Sequence, residues 1–140
     1  PLQKQKRPVD ADQQTAKEGA EELDLTGDLF EYKEKGNKVQ LLGKETRGGK
    51  ENYKIRLTRK SGTIVTFLID ANTFLPSQRI IDKNIAGKTV EMIETFGNYK
   101  RNSKGYIYAS TYHYAPMDYE LTYSAYEVNV PVEETFFDKP

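Results

Sequence analysis

The chain has no cysteine, no tryptophan and one histidine, and its 140 residues set 21 Lys and Arg against 21 Asp and Glu. Each shortage excludes something. Without cysteine there is no disulfide framework, no thiolate zinc site and no thiol nucleophile. A formal net charge of zero lacks the basic excess that nucleic-acid binding or a polybasic membrane anchor uses. No apolar run approaches the ~18 residues of a membrane-spanning helix, so a transmembrane chain is not expected. At 36% hydrophobic and 30% charged, the chain is lean for a fully enclosed core. A sheet with one wet face, or a half-closed fold, suits that balance.

No catalytic or metal constellation is visible. His113 has no second imidazole to share a metal and no evident nucleophile beside it. Ser61, Ser77, Ser103, Ser110 and Ser124 lie outside any G-x-S-x-G elbow. Glu91 with Glu94, and Glu133 with Glu134, read as solvated strand faces and an acidic tail. Gly48-Gly49 is followed by neither Lys-Ser/Thr nor a helix start, so it is not a phosphate loop. The expectation is a protein that is not an enzyme and uses no metal or cofactor.

What is present is strand. Residues 43–76, GKETRGGKENYKIRLTRKSGTIVTFLIDANTFLP, give three strands joined by hairpin turns. Gly48-Gly49 supplies the positive φ angles of a two-residue loop. Tyr53, Ile55 and Leu57 alternate with Lys54, Arg56 and Thr58, the period of a half-buried strand. Val65, Phe67 and Ile69 mark one face of the next strand, with Ile64, Thr66 and Leu68 on its other face. Further strands are expected at about 77–85, 88–97, 106–114 and 119–130, the last with a β-bulge near Ala125 where its alternation slips. Residues 1–14 read as a flexible arm and 15–24 as a short helix with Asp12 or Thr15 as cap. Leu25, Leu29, Phe30 and Tyr32 anchor a helical turn ending at Gly36. The expected fold is mostly β, a curved antiparallel meander of about seven strands forming an incomplete or half barrel. A short N-terminal helix precedes it, within one domain spanning 15–140.

Eight of the ten tyrosines lie between Tyr99 and Tyr126, with Tyr106, Tyr108, Tyr112 and Tyr114 in phase on one strand. Core packing is the first reading, the lining of an amphipathic cavity the second, and a stacking platform for nucleic acid a distant third.

The 43–76 stretch resembles the outer-membrane lipoprotein-sorting (LolA/LolB-like) superfamily, in its Bacteroidetes-type members. Gly43-Lys44-Glu45, Tyr53 to Leu57, the Gly62 hairpin leading to Ile69-Asp70, and Thr73 to Pro76 carry the resemblance. GDLFEYKEKG at 27–36 and FFDKP at 136–140 support it. The resemblance implies an incomplete barrel with a helical lid over an apolar cavity that holds acyl chains of lipids or lipoproteins in the periplasm. Only the C-terminal part of the family is matched. The front strands and first lid helix, with the arginine some carriers use for gating, have no counterpart among these residues. The chain opens on Pro1 without a signal peptide, so its start reads as a cut. The expectation is either a fragment of a larger domain or a short relative, its exposed strand edges covered by a second copy or by a missing partner segment. The expected cavity face is Tyr53, Ile55, Leu57, Val65, Phe67, Ile69, Val90, Met92 and Phe96. The alternatives are a cell-envelope structural or interaction module with no ligand, and an aromatic sugar-binding sheet.

Overall fold

Glycine placement dictates where this chain turns back on itself. Gly48 and Gly49 take φ of 58° and 74°, and the two-residue loop they form pairs Arg47 with Lys50, the geometry that matches strand twist. At the next turn Gly62, φ 95°, donates its amide to the Arg59 carbonyl while the Arg59 amide donates to Thr63.

The computed structural model describes residues 13–24, 26–85 and 87–137. Helix α1 (Gln13–Glu22) is followed by β1 (Lys38–Arg47), β2 (Lys50–Thr58), β3 (Ile64–Asp70), β4 (Pro76–Ile85), β5 (Lys88–Arg101), β6 (Ile107–Ala115) and β7 (Tyr119–Thr122), and a 3-10 turn at Glu134–Phe137. The strands form one seven-stranded sheet in the order β1 to β7, every pair antiparallel. The sheet does not close, so the mostly-β open meander with one short helix is the fold observed. The expectations for residues 1–12, for Leu25, for Ala86 and for 138–140 lie outside the described residues.

Leu57, Val65, Phe67 and Ile81 are buried and form the core, with Leu29, Val39, Ile55 and Ile69 packed against them. Each fully buried aliphatic or aromatic side chain contributes about 1.5–3 kcal/mol. Strand β3 is covered on both faces, since Leu68 on the opposite side is also fully buried. Between α1 and β1 the chain runs through turns. The Lys35 amide donates to Glu31 and the Asn37 amide to Tyr32, and the run ends at Gly36, φ 77°.

Several boundaries differ from the sequence reading. Helix α1 begins at Gln13, inside the expected arm. Strand β5 continues to Arg101 rather than 97. Tyr106 belongs to the β5–β6 turn, where its carbonyl accepts the Asn102 amide. Strand β7 is four residues long, not a strand to 130 with a bulge near Ala125. After Tyr123 donates its amide to Ser110, side chains take over from the ladder. Asn102 Nδ2 donates to the Tyr126 carbonyl at 3.2 Å, Lys104 Nζ donates to the Val128 carbonyl, and the Tyr126 ring stacks on Tyr108 at 5.2 Å. Stacking draws the chain away from the edge that alternation alone would extend. The irregularities that do occur lie between Leu41 and Gly43 in β1 and between Leu68 and Ile69, opposite Pro76 and Gln78.

Candidate ligand groove

Register settles which side chains share a face. Leu57 pairs with Val65, Ile55 with Phe67 and Tyr53 with Ile69. Val65 then pairs with Ile81, Ile81 with Met92 and Lys83 with Val90, and Phe96 with Tyr112. Directly opposed residues point to the same side of a sheet, so the nine expected residues share one face. Their surroundings differ. Leu57 and Val65 are wholly buried and Phe67 nearly so, with Ile55 and Ile69 packed on them; these five lie in or against the core. Tyr53 stacks on Phe74 at 6.2 Å with Lys44 Nζ 5.2 Å from its ring centre. Val90 is half-buried. Met92 borders a small cavity of about 140 Å³ with Arg79, Glu94 and Tyr114. Phe96 lies in the wall of a much larger groove.

That groove has a volume of about 530 Å³ and is lined by Phe96, Tyr99, Tyr108, Tyr112, Tyr123 and Tyr126, with Leu75 and Pro76 from the β3–β4 connection and Tyr106, Ile107 and Ala109 completing it. Tyr112 is the pivot: its ring stands edge-on to Phe96 at 5.4 Å and to Tyr123 at 5.3 Å, arrangements in which ring edges meet ring faces favourably. The Tyr99 hydroxyl donates to the Pro76 carbonyl at 2.6 Å, tying β5 to the start of β4. Burial, with Tyr112 adding to it, pushes the Tyr99 phenol up to about 12. Burial also raises the Tyr112 phenol, helped by Tyr123 and Glu94. These two phenols are therefore neutral at ordinary pH. Among the described residues no charged side chain lines the groove, so it offers apolar surface with hydroxyls at its edges. The tyrosine-rich segment was the sequence signal for it; the contribution of Leu75 and Pro76 arrives from a distant turn and carries no local signal.

A second arrangement escaped the sequence reading altogether. Arg59, 8% exposed, reaches from the end of β2 toward α1 and the turns after it. Its Nε and Nη2 donate to the two Asp28 carboxylate oxygens at 2.8 and 2.9 Å, and Nη1 donates to Glu21 at 2.9 Å. Arg79 on β4 donates through Nη2 to both Glu22 oxygens at 2.9 and 3.0 Å. Its Nη1 reaches Glu94 at 3.4 Å, whose other oxygen accepts the Tyr114 hydroxyl at 2.8 Å. Burial pushes the Glu21 carboxyl up, but the Ser61 hydroxyl and the Arg59 guanidinium together bring it below its ordinary value. Glu22 follows the same balance, with burial opposed by Arg79 and then Arg59. Helix α1 is thus held to the sheet by charge-assisted hydrogen bonds.

His113 faces the β6–β7 turn, its Nε2 3.0 Å from Asp118 Oδ1. Among the described residues there is no group of three or more His, Cys, Asp or Glu side chains placed to hold a metal, and no helix long and apolar enough to cross a membrane.

No family model matches the chain, and no curated protein matches it. Among solved structures it is similar to one described as a "putative outer membrane lipoprotein-sorting protein domain" from Vibrio parahaemolyticus, with a TM-score of 0.53 and 20% identity over 73% of this chain. The match spans 46% of that chain's length, so less than half of that protein has an equivalent here. At this identity the likeness is one of fold. Over the matched residues the chain shares the fold of that domain.

Proposed function

We propose that this chain is a non-catalytic carrier of the cell envelope that holds an acyl chain of a lipid or lipoprotein in the aromatic groove while it crosses the periplasm. One observation carries the reading: an open sheet with the fold of a lipoprotein-sorting domain bears a groove of about 530 Å³ with no charged lining residue among those described. An acyl chain exposed to water costs ~0.8 kcal/mol per CH₂, so a carrier needs dry concave surface rather than reactive groups. The volume lies within the ~300–1,000 Å³ of typical ligand pockets. The open edges, β1 and β7, are where a second copy would pair; light scattering across a concentration series reads that directly, and a strictly monomeric mass removes it.

The binding test is placed on the groove and not on the core. Phe67 is 7% exposed, so Phe67→Arg is expected to unfold the protein. Phe96→Arg and Tyr123→Arg enter the groove wall instead. Gentle purification followed by lipid mass spectrometry is expected to show a co-purified lipid. A fluorescent fatty-acid probe is expected to bind wild type and to be lost in both groove variants at unchanged far-UV circular dichroism. A protein free of lipid that binds no probe would leave the ligand-free envelope module as the better reading. Glycan-array binding dependent on Tyr106, Tyr108 and Tyr112 would favour the sugar-binding one.

A further inference from the structure

We infer that the groove takes a single-chain amphiphile with an anionic head, a fatty acid or a lysophospholipid, in preference to lipids with two or three chains. The inference rests on the carrier reading and narrows it.

Size is the first argument. A methylene is close in size to a water molecule, whose share of liquid volume is about 30 Å³. The groove of about 530 Å³ therefore holds on the order of 18 carbons by that measure, one long chain. The cavity beside Met92 measures about 140 Å³ and is bordered by Glu22, Arg79 and Glu94, whose charges an acyl chain would have to desolvate.

Charge is the second. From Thr95 through Met117 the sequence contains no Asp or Glu, while Lys100, Arg101 and Lys104 crowd the connection between β5 and β6. Among the described residues none of these three forms an ion pair with a carboxylate. Arg101 Nη1 instead donates to the Gly105 carbonyl at 2.6 Å and Lys104 Nζ to the Val128 carbonyl. Carbonyl acceptors fix the two cations without cancelling their charge. Both anchors lie next to groove residues in the chain: Gly105 precedes Tyr106, and Val128 lies two residues beyond Tyr126, and both tyrosines line the groove. The antiparallel meander puts the carboxylates of α1, bound to Arg59, at the opposite end of the strands from this hairpin. Glu127, between Tyr126 and Val128, is the one carboxylate in the segment that these bonds bring to the hairpin. An amphiphile thus meets apolar rings inside and, at one rim, three cations set against one carboxylate.

The test is isothermal titration of the full chain, below micellar concentration, with palmitate, palmitoyl lysophosphatidic acid, palmitoyl lysophosphatidylcholine, phosphatidylglycerol and a triacylated lipopeptide. The expected result is one palmitate or one lysophosphatidic acid per chain, their relative affinity deciding between fatty acid and lysophospholipid. The double variant Arg101→Glu/Lys104→Glu is expected to weaken both roughly tenfold while leaving lysophosphatidylcholine within about twofold. Arg101→Gln/Lys104→Gln is expected to give a smaller loss in the same order, and circular dichroism checks that each variant is folded. Phosphatidylglycerol or the lipopeptide binding as tightly as palmitate would overturn the single-chain inference and leave the carrier reading standing. Unchanged palmitate affinity in the charge-reversed variant would overturn the assignment of the head. Binding of no lipid at all would remove the carrier reading together with this one.

Discussion

The Arg59 guanidinium grips the Asp28 carboxylate with two parallel hydrogen bonds, 2.8 and 2.9 Å, across 31 residues of sequence. Both side chains are withdrawn from water, at 8% and 10% exposure. Removing one partner of such a pair strands the other's charge. Arg59→Met is expected to lower stability by about 2–3 kcal/mol, short of the full ~3–5 kcal/mol because Glu22 keeps its bonds to Arg79. Arg59→Lys keeps the charge but loses the planar fork and should fall between the two. Urea midpoints of the three proteins check the order.

The same cluster sets an acid limit. Glu21 and Glu22 sit below their ordinary value of 4.5 in the folded chain. Asp24 is lowered to about 2, chiefly by the hydrogen bond from Lys35 Nζ. A carboxylate whose folded value is depressed stabilises the fold above its unfolded value, and that contribution is lost as pH falls through the folded one. For Glu21 and Glu22 stability is therefore expected to be level above pH 4.5 and to decline below it; Asp24, bound to Lys35 and not to Arg59, extends the decline toward about 2 in both proteins. The slope of the urea midpoint against pH should be shallower in Arg59→Met. An equal slope in both proteins would detach the acid limit from this cluster.

Gly97 is a close-approach position rather than a turn. A methyl placed there would lie 2.8 Å from Thr111 Oγ1 on β6, inside contact distance. Gly97→Ala is expected to cost about 1–3 kcal/mol by overpacking, and Gly97→Ala with Thr111→Ala to recover most of it. Additive losses in that double-mutant cycle would show that the two sites do not touch.

Tyr99 should be among the late members of the tyrosine set to ionise, with Tyr114 held up further by burial and by Glu94. Its phenol is raised to about 12 by burial, so the stability it contributes is complete below its unfolded value of 10.0 and lost as pH climbs toward the folded one. Near-ultraviolet absorbance titration is expected to show a late-ionising group that Tyr99→Phe deletes. The same variant forfeits the hydrogen bond to Pro76, about 1 kcal/mol.

The hairpins were legible because their rules are local. Gly48-Gly49 and Gly62 announce turns, and the alternation at Tyr53, Ile55 and Leu57 states which face is buried. Strand β7 was misjudged because ring stacking between Tyr108 and Tyr126 outcompetes a pattern that read as strand. The Arg59 cluster was invisible for a different reason. Arg59 stands in a basic turn and Glu21 in a charged helix, each an ordinary solvated residue by local criteria, and only the fold brings them to 2.9 Å. The groove lies between these cases: its tyrosines were conspicuous, but Phe96 alone of the nine expected cavity residues lines it.

Because each strand pairs only with its neighbour in sequence, the chain can assemble as a series of short loop closures, the topology that folds fastest for a β protein. The contact between Arg59 and Asp28 is of another kind, since it forms against a hairpin that must already exist. Docking of α1 is thus expected after the rate-limiting step. Arg59→Met should speed unfolding in stopped-flow measurements and leave the refolding rate nearly unchanged. A matching fall in the refolding rate would place the helix in the nucleus instead.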